Sequence, residues 1–289
     1  MANKTIRVAT DVGGTFTDLV CFETDLATGK STIRTAKSDT TPPDFEKGVL
    51  NVLEKGGVDP ATVDFLAHGT TVVINALTER KGVKVGLITT EGFRDTLEIA
   101  RGNRPDFFNL HYRKPQPFVP RYLRRELPGR MTYKGIEREA LDMSALPAII
   151  EDFKADGVEA VAICFLHSYA DSSHEERARE IVAKRFPDLL VTTSSEVLPF
   201  MREYERWSTT TINAYVRPLT ARYLHSLESG LAGMGFTGRL LVMTASGGVV
   251  TPAIARRFPA RLIESGPAAG ALMAAFLGDQ FGEPDSLLI

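Results

Sequence analysis

The sequence predicts an α/β protein: a mixed sheet, opened by an antiparallel meander, with helices on both faces. Three observations carry this. Apolar residues alternate over short runs at the start of the chain, which is the period of half-buried strands. From about residue 45 onward, strand-like runs alternate with segments of helical period, the pattern of a largely parallel, helix-covered sheet. The composition is that of a globular protein with a sizeable core, at 289 residues, 43% hydrophobic and 24% charged, with 24 Gly and 16 Pro.

In order, residues 5–10, 18–23 and 31–35 read as the three meander strands. A glycine turn joins the first two, and a hairpin signal at residues 25–30 joins the last two. Past Pro42 and Pro43 the period changes. Phe45, Val49, Val52 and Leu53 stand at helical spacing, residues 63–67 read as a strand and 71–80 as a helix. A second strand and helix follow at 83–89 and 93–100. Residues 101–141 are rich in Pro, Arg and aromatics without a clear period, so they are expected to be a loop insertion. Alternation resumes with helix 144–155, strand 160–166, helix 173–186 and strand 189–193. The stretch 203–232 is helical apart from Pro218, 240–244 is a strand, and 267–278 is a small-residue helix. Residues 286–289 read as the start of another buried strand. Because that strand has nothing after it to pair with, the chain is expected to be the N-terminal portion of a longer protein.

Charge and cysteines narrow the function classes. With 34 Lys and Arg against 36 Asp and Glu, the net charge of -2 gives no general attraction to nucleic acid or to an anionic membrane. No apolar run reaches the roughly 20 residues that span a bilayer, and Met1-Ala-Asn-Lys4 leads straight into a strand, so a cytoplasmic location is expected. Cys21 and Cys164, each inside an apolar run and without metal-ligand spacing, are expected to be buried core thiols.

The sharpest motif is Asp11-Val-Gly-Gly-Thr-Phe-Thr-Asp18, set between two strands. Gly13 and Gly14 let backbone amides approach an anion, Thr15 and Thr17 can donate hydroxyl hydrogen bonds to it, and Asp11 at the strand tip suits Mg2+ (or Mn2+) or a nucleophile. The plain reading is a glycine hairpin. The added Asp and Thr residues resemble the first phosphate loop of the actin, sugar-kinase and heat-shock ATPase superfamily. It is not a Walker loop, since no Gly-Lys-Ser/Thr follows and a strand comes next. A second motif, Ala67-His-Gly-Thr-Thr-Val-Val-Ile-Asn-Ala-Leu77, runs from a strand end into a helix. His68 there can serve as acid, base or donor near neutral pH, and Gly69, Thr70 and Thr71 expose amides toward a carbonyl or an anion. The structural alternative is a capping turn with a buried, satisfied histidine.

Further segments follow in order: Ile88-Thr-Thr-Glu-Gly-Phe-Arg-Asp95, Arg104-Pro-Asp106, Cys164-Phe-Leu-His-Ser-Tyr169, Ser195-Glu-Val-Leu-Pro199, Glu203-Tyr-Glu-Arg206, Asn213-Ala-Tyr215 and Ser265-Gly-Pro-Ala-Ala-Gly270. Together with the first two motifs, and over nearly the whole chain, this succession resembles the hydantoinase A, 5-oxoprolinase and ketone carboxylase family. The resemblance implies an actin-like, acetate-kinase-like (ribonuclease H-like) ATPase core that uses ATP and Mg2+. It also implies an ATP-dependent reaction on an amide or ketone carbonyl, and a second, hydantoinase B-type subunit as partner. It divides the chain into an N-terminal domain at 1–195 and the beginning of a second domain at 196–289, stopping before a second Asp-x-Gly-Gly-Thr loop. Gly266 is then expected on the nucleotide side, and His68, Gly69, Thr70, Thr71, Arg101 and Arg104 on the substrate side. One departure is Thr244-Ala-Ser-Gly-Gly248, where hydantoinase-type members tend to read Gln-Ser-Asn-Gly-Gly; it leaves the carbonyl substrate open.

Arg101, Asn103, Arg104, His111, Arg113 and Lys114 suit a carboxylate clamp, against the plain reading of a solvated or subunit-contacting loop. His167, Asp171 and His174 suit a metal less well than a helix cap at Ser172 or Ser173. The charge run Arg202 to Arg206 reads as a solvated helix face. Beside the enzyme reading stand two alternatives, a nucleotide-binding regulatory or scaffold subunit of the same fold and a sugar kinase.

Overall fold

The structure is a computed structural model that describes residues 4–103 and 106–282. Along the chain the elements are β1 (Lys4–Val12), β2 (Phe16–Asp25), β3 (Ser31–Asp39), α1 (Phe45–Lys55), β4 (Phe65–Thr70), α2 (Val72–Thr78), β5 (Val85–Thr90) and α3 (Thr96–Ile99). There follow β6 (Arg124–Leu127), β7 (Arg130–Met131), β8 (Glu137–Glu139), α4 (Leu146–Ala155), β9 (Ala160–Cys164), α5 (Ser173–Arg185), β10 (Leu190–Thr193), α6 (Ser194–Val197) and α7 (Glu203–Gly233). The last elements are β11 (Arg239–Met243), β12 (Val249–Val250), α8 (Pro252–Arg257) and α9 (Ser265–Phe281). The expected strand at 286–289 lies outside the described residues.

The chain clusters into two compact units, Met1–Lys81 with Leu219–Ile289, and Gly82–Pro218. The division at 195/196 expected above is linear in sequence; in space the first unit takes both ends of the chain.

In the first unit the sheet order is β12-β11-β4-β1-β2-β3. The meander is antiparallel, while β4 pairs in parallel with both β1 and β11, so the sheet is mixed. Period-2 alternation gives it two different faces. Val8, Val12, Leu19 and Cys21 are buried on the face that receives α1, whose Val49, Val52 and Leu53 are also fully buried. Burial of such a side chain contributes about 1.5–3 kcal/mol, which is why the spacing of Val49, Val52 and Leu53 is readable as a helix. The opposite face carries Ala9, Asp11, Asp18 and Val20, and there α9 packs against β4.

In the second unit the order is β10-β9-β5-β6, parallel throughout. Its central strands β5 and β9 are buried along their whole length, as a sheet covered on both faces requires. Cys164 lies here, fully buried, its thiol pushed well up by burial, and Cys21 is equally buried in the first unit. The alternating pattern thus belongs to two sheets, where the periodicity by itself suggested one. The expected insertion at 101–141 contains β6, which extends the parallel sheet, and Arg124, which is 1% exposed and donates from Nε to the Val119 carbonyl at 3.0 Å. Helix α7 runs through Pro218 without a break.

Candidate functional site

The β1–β2 turn sits at the end of the first unit's sheet. Gly13 N–H donates to the Phe16 carbonyl at 2.9 Å, and pairing resumes at Val12 with Thr17. Register then sets Asp11 directly opposite Asp18. Burial, and next the facing Asp18 carboxylate, raise the Asp11 carboxyl above its ordinary range, although solvent still reaches it. Asp18 itself has a cation at hand, with its Oδ1 3.2 Å from Lys37 Nζ.

The β1/β4 register brings the second motif alongside, with Thr10 beside His68, Asp11 beside Gly69 and Val12 beside Thr70. Gly69 is needed there: a Cβ at this position would lie 2.6 Å from Asp11 Oδ1. Thr71 ties the two turns together, since its N–H and its hydroxyl both donate to the Val12 carbonyl at 3.0 Å.

Asp11, Asp18, Gly69 and, from α9, Gly266 line one cavity of about 240 Å³. That is below the roughly 300–1,000 Å³ of sites that enclose a drug-sized ligand, and so suits a phosphate group and its counter-ion better than an entire nucleotide. Around the glycine turn the space is open, and a Cβ at Gly14 would meet nothing within 4 Å. The donor set fits a hard cation that takes one carboxylate together with phosphate oxygens and water, the usual Mg2+ arrangement. Among the described residues no group of three or more His, Cys, Asp or Glu forms a cage of its own.

Three expected site residues are buried, and of them His68 still belongs to the lining of that cavity. Thr17 points away from the open turn: it is 0% exposed, and its hydroxyl shares a 3.2 Å hydrogen bond with that of Thr40. Strand alternation is the reason, because residue 17 falls on the α1 face while 16 and 18 face outward. His68 is also 0% exposed, with Nδ1 2.9 Å from Thr10 Oγ1 and Nε2 2.7 Å from Tyr223 Oη. Burial lowers its pKa to about 4, so the ring is neutral near pH 7. Thr70 is buried, and its hydroxyl accepts from the Val72 N–H at 3.2 Å. Tyr223, 155 residues from His68, gives no sequence signal at all. Asp18, by contrast, is legible once the hairpin is folded about its glycines.

Arg101 belongs to the second unit, where it is paired with Glu205. Arg104 lies outside the described residues. Ser172 is the N-cap residue of α5 as expected, but the side-chain bond to the helix start comes from Asp171, whose Oδ1 accepts from Ser173 N–H at 2.9 Å, while His174 Nε2 is 2.7 Å from Glu137 Oε1. The charge run before Trp207 is only partly a solvated face, because Arg206 is 0% exposed. It donates to Ser194 Oγ and to the carbonyls of Phe200 and Phe165, each at 3.0 Å. Ser194 Oγ in turn donates to the buried Glu175 at 2.6 Å.

Known proteins resemble this chain over most of its length. The description "Hydantoinase/oxoprolinase N-terminal region" matches residues 7–186, and "Hydantoinase/oxoprolinase" matches residues 206–289. An uncharacterised protein of Methanocaldococcus jannaschii is 39% identical over 93% of this chain and 40% of its own length. The caprolactamase subunit alpha of Pseudomonas jessenii is 35% identical over 98% of this chain and 41% of its own. A nucleotide-free structure of acetone carboxylase, from work on ATP-dependent acetone carboxylation, superposes with a TM-score of 0.83 at 26% identity, over 96% of this chain and 41% of that one. The chain thus spans about two fifths of the length of these relatives. The α/β fold with its mixed sheet is shared with the acetone carboxylase, consistent with an actin-like ATPase core.

Proposed function

This chain belongs to the hydantoinase/oxoprolinase family, and from that premise we propose that it takes part in ATP-dependent activation of an amide or ketone carbonyl. The γ-phosphoryl group of ATP passes to the carbonyl or enolate oxygen with release of ADP, and the activated compound is then opened by water or carboxylated with release of inorganic phosphate. The observation that carries the reading is the convergence of Asp11, Gly69 and Gly266 on one small cavity, with Asp11 leading directly into a turn that is open at Gly14.

Asp11 would hold a Mg2+ or Mn2+ ion, which supplies charge neutralisation of the phosphates when bound. The chain's own residues do the rest. Amides of the turn at Gly14 and Thr15 cradle phosphate oxygens, the Gly13 N–H being given to the Phe16 carbonyl, and the first turn of α9, at Gly266, adds the positive end of a 17-residue helix. Positioning and electrostatics of this kind supply most of the catalysis in phosphoryl transfer. Thr17 supports the turn through Thr40 and does not reach the phosphate. His68 acts here as a positioning residue that fixes β4 and hence Gly69, with Thr70 and Thr71 holding the neighbouring turn.

The relative's name "subunit alpha" supports a multi-subunit assembly, and a hydantoinase B-type subunit is the partner proposed. The decisive experiment is calorimetric titration of ATP and Mg2+ into the full-length protein and its Asp11→Asn variant. Magnesium-dependent binding in the first, weakened at least tenfold in the second, is expected; equal affinity in both would remove Asp11 from the site.

A further inference from the structure

Several large apolar side chains of the second unit stand out in solvent on one loop. Phe107 is 76% exposed, Phe108 96% and Leu110 85%, and Ile99, at the end of α3, is 60% exposed. The loop presents them on a built turn. Asn109 N–H donates to the Asp106 carbonyl at 3.4 Å, Asn109 Oδ1 accepts from His111 N–H at 2.9 Å, and Tyr112 N–H donates to the Asn109 carbonyl at 3.1 Å. Lys114 Nζ donates to the Ile99 carbonyl, which ties the end of α3 to the same loop. Two phenylalanines alone carry roughly 300–500 Å² of surface, and an exposed apolar patch of that size on a folded chain marks an interaction site.

The charge beside this patch is one-sided. Arg113 and Lys114 are exposed, and among the described residues neither enters an ion pair, while Asp106 is the one acid between residues 106 and 114. Arg101 is already paired with Glu205. A complementary surface therefore has an apolar pocket for the aromatic pair and carboxylates around it, because opposite charge steers encounter and excludes wrong partners. A second copy of the chain meeting this one loop to loop would set Arg113 and Lys114 against like charges. An anionic membrane fits less well too, since Asp106 directly precedes Phe107 and would be carried with it toward the headgroups.

We infer that residues 106–114 form the surface on which a second, different subunit docks, one that presents an apolar pocket rimmed by carboxylates. Phe107 and Phe108 are the anchors, and Arg113 and Lys114 set the approach. This rests on the multi-subunit assembly proposed above and locates its contact on this chain. The carboxylates that the two cations meet are then those of a protein and not those of a substrate.

The test is gel filtration and calorimetry of the full-length protein with the hydantoinase B-type subunit of the same organism. The double variant Phe107→Ser, Phe108→Ser should melt with the parent, because both side chains are exposed. It is expected to weaken the complex at least about thirtyfold, as loss of anchor residues does. Arg113→Glu with Lys114→Glu should slow association at low salt and flatten its salt dependence. ATP affinity should be unchanged in both variants. A complex as tight with the serine variant as with the parent overturns the inference and leaves the assembly standing. Should the serine variant not fold, the charge variant decides, and an unchanged association rate there overturns the inference. No complex with the parent removes the assembly itself, and the inference with it. Self-association of the parent, or its binding to phosphatidylserine vesicles, that the serine substitutions abolish while the subunit still binds assigns the loop to a homomeric or lipid contact, and overturns the inference as well.

Discussion

A side chain added at Gly14 meets nothing of the protein within 4 Å, so Gly14→Val should leave the fold and its melting temperature unchanged. What it fills is the space over the turn where phosphate oxygens would approach backbone amides. ATP affinity of the full-length variant is therefore expected to fall below detection in calorimetry, and native circular dichroism with parent-like affinity would refute the phosphate reading of this turn. His68 calls for the opposite kind of measurement. Its folded pKa is lowered to about 4 from 6.5 by burial, so between those values the unfolded chain binds more protons and stability falls as pH falls. The stability His68 contributes is complete above pH 6.5, and about 2 kcal/mol of it should be lost between pH 7 and pH 5. Urea unfolding of the parent and of His68→Gln at both pH values isolates this residue from Asp11, whose raised pKa acts in the opposite sense. Equal pH slopes for the two proteins would show that the ring is not held neutral. Asp11, Gly13 and Gly14 could be read as a site because glycines next to a strand-end acid are a local pattern. The burial of His68 is one of the two readings its turn allows, but its partner Tyr223 is not legible, because it comes from a distant helix.

Among the elements, those with an apolar period were legible and those built on charge were not. Val49, Val52 and Leu53 announce α1 because all three are buried on one face. By the same logic Arg124 and Arg206 read as surface residues, since arginine is almost never fully buried unless paired. Both are buried here because backbone carbonyls and carboxylates brought from other elements receive them, and no sequence period encodes that. The Glu175–Ser194–Arg206 chain joins α5, α6 and α7 within one low-dielectric frame. Arg206→Met takes its donors from Ser194 and from the Phe165 and Phe200 carbonyls, so a loss of about 2–5 kcal/mol is expected. Glu175→Gln should be costly for the mirror reason. The double variant should then be less destabilised than the sum of the singles, because both residues bond the same Ser194 hydroxyl. Denaturant unfolding of all four proteins measures the coupling, and strict additivity would mean that the two residues act independently.

At the scale of the whole molecule, the alternation of strands and helices gave the fold class but could not show that it serves two sheets. A parallel strand needs only a buried partner, and period alone does not say which sheet provides it. The spatial division has a testable consequence of its own. Gly82–Pro218 is one continuous segment, and it contains a parallel sheet whose central strands are buried on both faces. It also contains Phe153, Phe165 and Trp207, all nearly or fully buried, and the Glu175–Arg206 frame. Its 137 residues fall in the range of autonomous domains. The expectation is that this segment, expressed alone, folds cooperatively. Trp207 provides the readout, being the single tryptophan of the chain and 0% exposed. Its emission should be blue-shifted in the isolated segment, and its urea transition should coincide with that of the backbone followed by far-UV circular dichroism. A red-shifted emission with no cooperative transition would show that the core of this unit depends on the rest of the chain, and that the division in space is one of contacts without being one of stability.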